Sequence, residues 1–428
     1  MDIIGVGING YKNIRDTYLD FSEHSLIVLF APNNYGKTNL VNGIEAGFEL
    51  LRQHGKSFLY YAKSKLFGHK DDVENFPLTD FSFEIDFKTS KASTEKYKYK
   101  VQIHPVEKPF KRIMECGEER EIKVVTDVVV VHESLTRTDA NSLPLFMCDG
   151  GRKSLHLQEL AHLPNMSSKV EINAEHVEDI KVIKTAYECL TTATCGNNIA
   201  SGENFYGHAE PVVFLESDLG RLLEKNKYEK FREYFCGFEK DEDGEKINGM
   251  FKYYDMDILP SSVSNRVRVK LTDTRRNPQT NESIRTVSFG TKRIFKLLAQ
   301  MCINSVPLIS VEELENGLNP KVFREFIAIL EKCLKEGCTE TKLLVSTHSP
   351  NVIDRFGSEK KLKAVYLGVP SIGKEGYATF KHLNEEGRNE VVSFMENSEE
   401  GHGAGVFILS TCIDEMNSEF AEKKGWFK

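Results

Sequence analysis

The feature that most constrains this chain is an eight-residue turn, Ala31-Pro32-Asn33-Asn34-Tyr35-Gly36-Lys37-Thr38. It sits between an apolar run, Leu26–Phe30, and an amphipathic segment, Asn39–Leu51. A strand, a tight turn and a helix in this order gather successive backbone N–H groups around an anion at a helix N-terminus. Lys37 supplies a mobile cation, and the Thr38 hydroxyl is a hard oxygen ligand for a hard metal ion such as Mg²⁺. The spacing is that of a P-loop, with Ala31 where the first Gly of the usual pattern would stand. Ala has the smallest side chain that carries a Cβ, so the turn should survive with less conformational latitude. Pro32 donates no N–H, so the cradle must rely on amides from Asn34 onward. Asn33, Asn34, Tyr35, Gly36, Lys37, Thr38 and Asn39 are the candidate binding residues.

Length and charge bound the rest. A chain of 428 residues implies two or three domains, or one domain with a large insertion. A 40% hydrophobic and 28% charged composition is that of an ordinary globular protein. The net charge of −8 argues against a protein coated in nucleic acid, although a local basic track remains compatible with it. No run of about 18 apolar residues and no leader-like N-terminus is present, so the expectation is a cytoplasmic protein without a membrane partner. Nine irregularly spaced cysteines, with Cys189/Cys195 and Cys333/Cys338 the closest pairs, suggest reduced thiols rather than disulfides or zinc.

Along the chain, Ile3–Ile8 and Tyr18–Phe21 read as strands around the turn Asn9–Asn13. Leu40, Val41, Ile44, Phe48 and Leu51 recur at helical spacing after the P-loop, and Phe58 to Asp72 reads as a loop or irregular helix. Phe81, Phe83, Ile85 and Phe87 alternate with polar residues, as do Tyr97, Tyr99, Val101 and Ile103, and Ile122–Val131 closes an antiparallel sheet. Gly150–Leu157 suggests another turn and strand. Glu175–Thr191 and Asp218–Phe235 have helical periodicity, with a Gly-, Asn- and Ser-rich loop, Thr192–Pro211, between them. Neither helix continues into an apolar heptad repeat. Arg266, Arg268 and Lys270 share one face of an alternating strand, followed by Arg275 and Arg276. They make either a phosphate-backbone contact or a solvated strand face balanced by acidic neighbours.

Three further motifs lie downstream. Ser288-Phe289-Gly290-Thr291-Lys292-Arg293 precedes a helix, where Ser and Gly can aim donors along the dipole or merely cap the helix. The apolar strand Pro307–Val311 ends in Glu312-Glu313, two carboxylates expected on opposite sides of the strand. One can hold a metal through water while the other polarises an attacking water. Glu312 stands where Asp is usual, and its longer arm changes how a metal would be reached. Leu314-Glu315-Asn316-Gly317-Leu318-Asn319-Pro320 then turns into a helix over Lys321–Glu336. A second buried strand, Lys342–Ser346, ends in Thr347-His348-Ser349-Pro350, with a histidine at its tip that is either structural or a sensor of the terminal phosphate.

These four motifs, in this order, resemble the ABC-type ATPases, in the branch of RecF, the SMC proteins and the overcoming-lysogenization-defect (OLD) class. The Phe81–Phe87 strand, His132-Glu133-Ser134-Leu135 and the Ser288–Arg293 signature also look like AAA-type ATPases of phage-defence operons. The resemblance covers roughly residues 1–135 and 280–370. It implies an α/β fold: an ABC-type P-loop ATPase head, with mixed and antiparallel sheets around the P-loop helix and a mainly helical insertion. The expected division is an N-terminal ATPase lobe over 1–135, an insertion over 136–280 and a C-terminal ATPase lobe over 281–428. It further implies ATP and Mg²⁺ as cofactors, Lys37 and Thr38 on phosphate and metal, Glu312 supporting the metal, Glu313 as catalytic carboxylate and His348 as switch histidine. Ser288 and Gly290 would contact the γ-phosphate of ATP held by a second subunit, with Asn316 and Gly317 in the dimer-facing loop. One P-loop and one signature per chain imply a head-to-tail homodimer or a higher homo-oligomer.

Departures narrow the relatives. The interval of about 250 residues between P-loop and signature lacks the long coiled coil of SMC proteins, and about 80 residues after His348 are too few for the nuclease domain of long OLD proteins. The leading expectation is an ATP-driven switch that controls a separate effector, a nuclease or toxin encoded nearby, in antiviral defence. The alternative is a RecF-like ATPase of DNA repair that binds nucleic acid through the Arg266–Arg276 cations.

Overall fold

The computed structural model describes residues 1–53, 56–67, 79–113, 119–138, 144–155, 157, 174–192, 195–196, 220–223, 227–236, 254–260, 267–273, 280–283, 288–303, 306–335, 341–356, 358–370, 376–397, 403–413 and 423–427. They form two compact units, Met1–Gly196 with His348–Lys428, and Asn197–Thr347.

The first unit begins with β1 (Asp2–Asn9), β2 (Thr17–Asp20) and β3 (Leu26–Phe30), then α1 (Lys37–Arg52). As read from the sequence, Leu40, Val41, Ile44, Phe48 and Leu51 are buried on one side of α1. α2 (Lys56–Tyr61) runs directly into one wide π-turn, Ala62–Leu66, an irregular helix anchored by Phe58 and Leu66; residues 68–78 lie outside the described residues. β4 (Phe81–Lys88), β5 (Tyr97–Ile113), β6 (Glu119–Arg137) and β7 (Pro144–Arg152) complete an antiparallel sheet of order β2-β1-β4-β5-β6-β7. The strict alternation of β4 buries Phe81, Phe83, Ile85 and Phe87 on one face. Each such side chain removed from water contributes on the order of 1.5–3 kcal/mol. The Phe48 and Phe83 rings meet edge to face at 5.4 Å, packing α1 on this sheet. β7 ends at Arg152, so the strand comes earlier than the expected turn and strand over Gly150–Leu157. Pairing of Asp149 with His132 on β6 outweighs the local glycines. α3 (Ala174–Thr192) buries Ile183, Ala186 and Leu190, and a two-residue strand, β8 (Cys195–Gly196), follows. The rest of the Thr192–Pro211 loop lies outside the described residues.

In the second unit the expected helix Asp218–Phe235 is helical over 220–223 and again in α4 (Tyr228–Cys236), with Lys227 between them non-helical. Phe231 and Phe235 of α4 both pack on Phe295, at 4.8 Å and 5.2 Å between ring centroids. β9 (Tyr254–Pro260), β10 (Val267–Asp273) and β11 (Thr280–Ser283) form an antiparallel sheet of order β11-β10-β9. Residues 136–280 thus combine helices with β7, β8 and this sheet. α5 (Phe289–Ile303), β12 (Leu308–Glu312), α6 (Pro320–Lys335) and β13 (Lys342–Thr347) follow. β12 and β13 are parallel, with Glu312 opposite Ser346.

The chain then returns to the first unit through α7 (Pro350–Ile353), a 3₁₀ turn (Asp354–Phe356) and α8 (Glu359–Leu362). β14 (Val365–Pro370) runs parallel to β3 and antiparallel to β15 (Ala378–His382). α9 (Glu385–Asn397) and α10 (Ala404–Ile408), which continues into a π-turn at Leu409–Ile413, complete the unit. The fold is mixed α/β, with antiparallel sheets and parallel strand pairings. No helix among the described residues is long and apolar enough to cross a membrane.

Candidate functional site

The P-loop lies where β3 meets α1. All five residues of β3 are buried, and so is Ala31. The Ala31 methyl is accommodated because the neighbouring strand carries Gly368, where a Cβ would lie 2.7 Å from that methyl. Asn34 (φ 68°) and Gly36 (φ 88°) adopt left-handed backbone, which curls the loop so that successive N–H groups point inward. Gly36 has no substitute: a Cβ there would lie 2.8 Å from the Asn13 side-chain amide and 2.9 Å from Ile14. No acidic side chain occupies the first turn of α1 and no side chain caps it, so its leading amides and positive dipole end face an anion unopposed. Lys37 Nζ donates to the carbonyl oxygens of Ala31 (2.6 Å) and Pro32 (2.8 Å), which hold the ammonium over the loop. Asn33, Asn34 and Thr38 are exposed and Tyr35 is half-buried.

Asn39 is directed elsewhere: its Nδ2 donates to Asn13 Oδ1 at 2.7 Å. Asn13 is buried in the β1–β2 turn, so this turn braces the P-loop from behind. The same turn is tied to β15, with Ala378 N–H donating to Asn13 O (2.9 Å) and Arg15 N–H to Ala378 O (3.0 Å). By sequence Asn9–Asn13 is a turn and nothing more. Its side-chain amide, one residue before a buried Ile, was the available signal.

In the second unit, Ser288 is exposed and its Oγ accepts from Thr291 N–H at 3.3 Å while sharing a proton with Thr291 Oγ1 at 2.9 Å. This is N-cap geometry, and it fixes where α5 begins. Gly290 is buried against the loop after β12, and a Cβ on it would meet Leu318 at 2.7 Å. Arg293, three residues on, is 2% exposed. Its Nη1 donates to Asn316 O at 3.0 Å and its Nη2 to the carbonyl oxygen of Glu312. Burial lowers the Arg293 pKa, and the nearby carboxylates of Glu315, Glu313 and Glu312 oppose that shift. The guanidinium therefore compensates a crowded set of acids, a role that the spacing alone did not disclose.

β12 stops at Glu312. Glu313 has left-handed backbone (φ 47°), so the expected strand alternation does not set its direction. The turn does: Asn316 N–H donates to Glu313 O at 2.8 Å and Asn316 Nδ2 reaches Glu313 Oε2 at 3.4 Å. Gly317 follows in the left-handed region (φ 76°). Glu315 Oε1 accepts from the Thr347 hydroxyl at 2.6 Å, linking this loop to the tip of β13. Glu312 Oε1 and Glu315 Oε2 are buried without a hydrogen-bond partner among the described residues. A buried, unsatisfied carboxylate oxygen is costly unless a cation completes it. The Glu312 oxygen therefore fits a hard cation such as Mg²⁺, as the P-loop amides fit phosphate.

His348 follows Thr347 directly and is exposed. Of the basic track, Arg266, Arg275 and Arg276 lie outside the described residues, and Lys270 is half-buried on β10.

Residues 221–354 match the family described as "AAA domain, putative AbiEii toxin, Type IV TA system". No curated protein matches the sequence. Among solved structures, the SMC head domain from Thermotoga maritima is 13% identical with a TM-score of 0.42, covering 90% of this chain and 100% of that one. An SMC head bound to the C-terminal winged-helix domain of ScpA is 11% identical with a TM-score of 0.49, covering 90% and 99%. An SMC head with an extended coiled coil, bound to the C-terminal domain of ScpA derived from Pyrococcus furiosus, is 11% identical with a TM-score of 0.43, covering 92% and 100%. Residues 221–354 are thus similar to an AAA-type ATPase domain, and this stretch holds three of the four motifs: Ser288–Arg293, Glu312-Glu313 and Thr347–Pro350.

Proposed function

We propose that the chain is an ATP-binding and ATP-hydrolysing switch whose head-to-tail dimer controls a separate effector, a nuclease or toxin, in antiviral defence. The observation that carries the ATP reading is the P-loop itself: a left-handed turn at the unopposed N-terminus of α1, with Lys37 held over it. Lys37 and the loop amides would bind the β- and γ-phosphates, and Thr38 and Glu312 would serve Mg²⁺. Bound Mg²⁺ would neutralise charge that develops on the phosphates. Glu313 would orient and polarise the attacking water, and His348 would donate to the γ-phosphate. Ser288 and Gly290 would reach ATP held by a second copy of the chain, so that occupancy drives dimerisation. The description of the matched family, an AAA domain and putative toxin of a type IV toxin–antitoxin system, supports an ATPase that works in a toxin system.

The deciding experiment combines two measurements on the full chain. Light scattering with and without ATP should show dimers only with ATP. Co-purification from the native operon should recover a neighbouring gene product with the chain. ATP-independent monomers together with no captured neighbour would overturn the reading.

A further inference from the structure

The C-terminal segment beyond β15 has no part in the site as described so far, yet it is fastened to the helical turn that follows His348. His348 is followed after one residue by α7, a single helical turn. Asp354 closes that turn, and its backbone N–H donates to the carbonyl oxygen of Pro350. The Asp354 side chain leaves α7 altogether: Oδ1 accepts the backbone N–H of Gly405 at 2.9 Å, so a residue of the switch segment caps α10. The contact is backbone-close on both sides. A Cβ on Gly403 would overlap the Asp354 carboxylate, and one on Gly405 would overlap the Pro350 carbonyl. Gly403-Ala404-Gly405 is thus cut to fit α7. Ala404 and Ile408 on one side and Ile353 on the other are fully buried. The docked segment is itself fixed behind, where the Phe407 ring packs on Phe394 of α9 at 4.6 Å and faces Trp426 at 6.5 Å.

From this geometry we infer that Asp354 is a positioning residue for His348, acting through the Gly403–Gly405 segment. The C-terminal helices thereby set the histidine's reach toward the terminal phosphate. The inference rests on the switch role given to His348 above. α7 has only one turn, with Val352 and Ile353 buried, so its placement depends on what it packs against. A displacement of about 1 Å at a catalytic group is enough to cost up to about a hundredfold in rate.

The test uses the full chain and the variants D354A, D354N, G405A and H348A, with G405A also combined with H348A. D354A and G405A should lower kcat by about tenfold or more while KM for ATP stays within about twofold. D354N should retain kcat within about twofold, because the amide oxygen still accepts from Gly405 N–H. In the H348A background, G405A should add nothing, since both changes act through one group. Unchanged kcat in D354A and G405A, or effects that multiply in the double variant, would overturn the assignment. Should the wild-type chain not hydrolyse ATP at all, the functional reading fails separately. Amide hydrogen exchange then decides the positioning claim: residues 350–356 must lose protection in D354A and G405A but not in D354N, and equal protection in all of them refutes it.

Discussion

Gly290 and Gly317 touch through their backbones: a Cβ on Gly290 would lie 2.5 Å from the carbonyl oxygen of Gly317. The start of α5 and the loop after the paired glutamates are therefore packed backbone to backbone, and the contact requires residue 290 to lack a side chain. Phe289 lies against the same contact, 2.7 Å from where a Cβ on Gly317 would be.

Gly290→Ala should separate the two segments. The methyl meets backbone rather than a flexible side chain, so we expect a loss of about 1–3 kcal/mol in urea unfolding. ATP-dependent dimerisation should be lost while nucleotide binding to the P-loop persists. Wild-type dimerisation of the variant by light scattering would remove the signature from the interface.

Lys37→Ala and Glu313→Gln should fail in opposite ways. Without the ammonium held at Ala31 and Pro32, binding of a fluorescent ATP analogue should fall below detection. Glu313→Gln should keep binding and accumulate an ATP-bound dimer. Phosphate release from it at the wild-type rate would show that Glu313 is not the catalytic carboxylate.

Arg293→Met should destabilise the second unit strongly. Removing a buried guanidinium leaves Glu312, Glu313 and Glu315 uncompensated, an imbalance that typically costs about 3–5 kcal/mol. Lys is not an adequate substitute, because the two carbonyls bound by Nη1 and Nη2 require a planar fork. A urea midpoint equal to wild type in Arg293→Met would contradict this.

His24 makes stability depend on pH. Burial lowers its pKa, and Lys363 and Lys360 act in the same direction against Glu23 and Asp20. Its Nε2 is buried with no hydrogen-bond partner among the described residues. The folded state therefore takes up its proton less readily than the unfolded chain, whose histidine titrates near about 6.5. Stability should be complete above that value and decline as pH falls through it toward the folded pKa. His24→Gln should flatten this decline in a thermal unfolding series between pH about 7.5 and about 5. An unaltered slope would place the pH dependence elsewhere.

By itself the sequence determined the local elements that rest on local rules. The strand, tight turn and helix around Gly36-Lys37-Thr38 follow from an apolar run, turn residues and a 3.6-residue period. The alternation of Phe81, Phe83, Ile85 and Phe87 likewise fixed one sheet face, because side chains on a strand alternate whatever lies beside it. Tertiary structure decided what those elements meet. The direction of Glu313 came from a left-handed turn, since its strand ends one residue earlier. The partner of Arg293 was set by packing across 19 to 23 residues of chain. Asn13 braces Asn39 across 26 residues, and Asp354 caps Gly405 across 51. These pairings leave no periodic trace, because a hydrogen bond between distant segments depends on where the intervening chain returns, and only the packed core fixes that place.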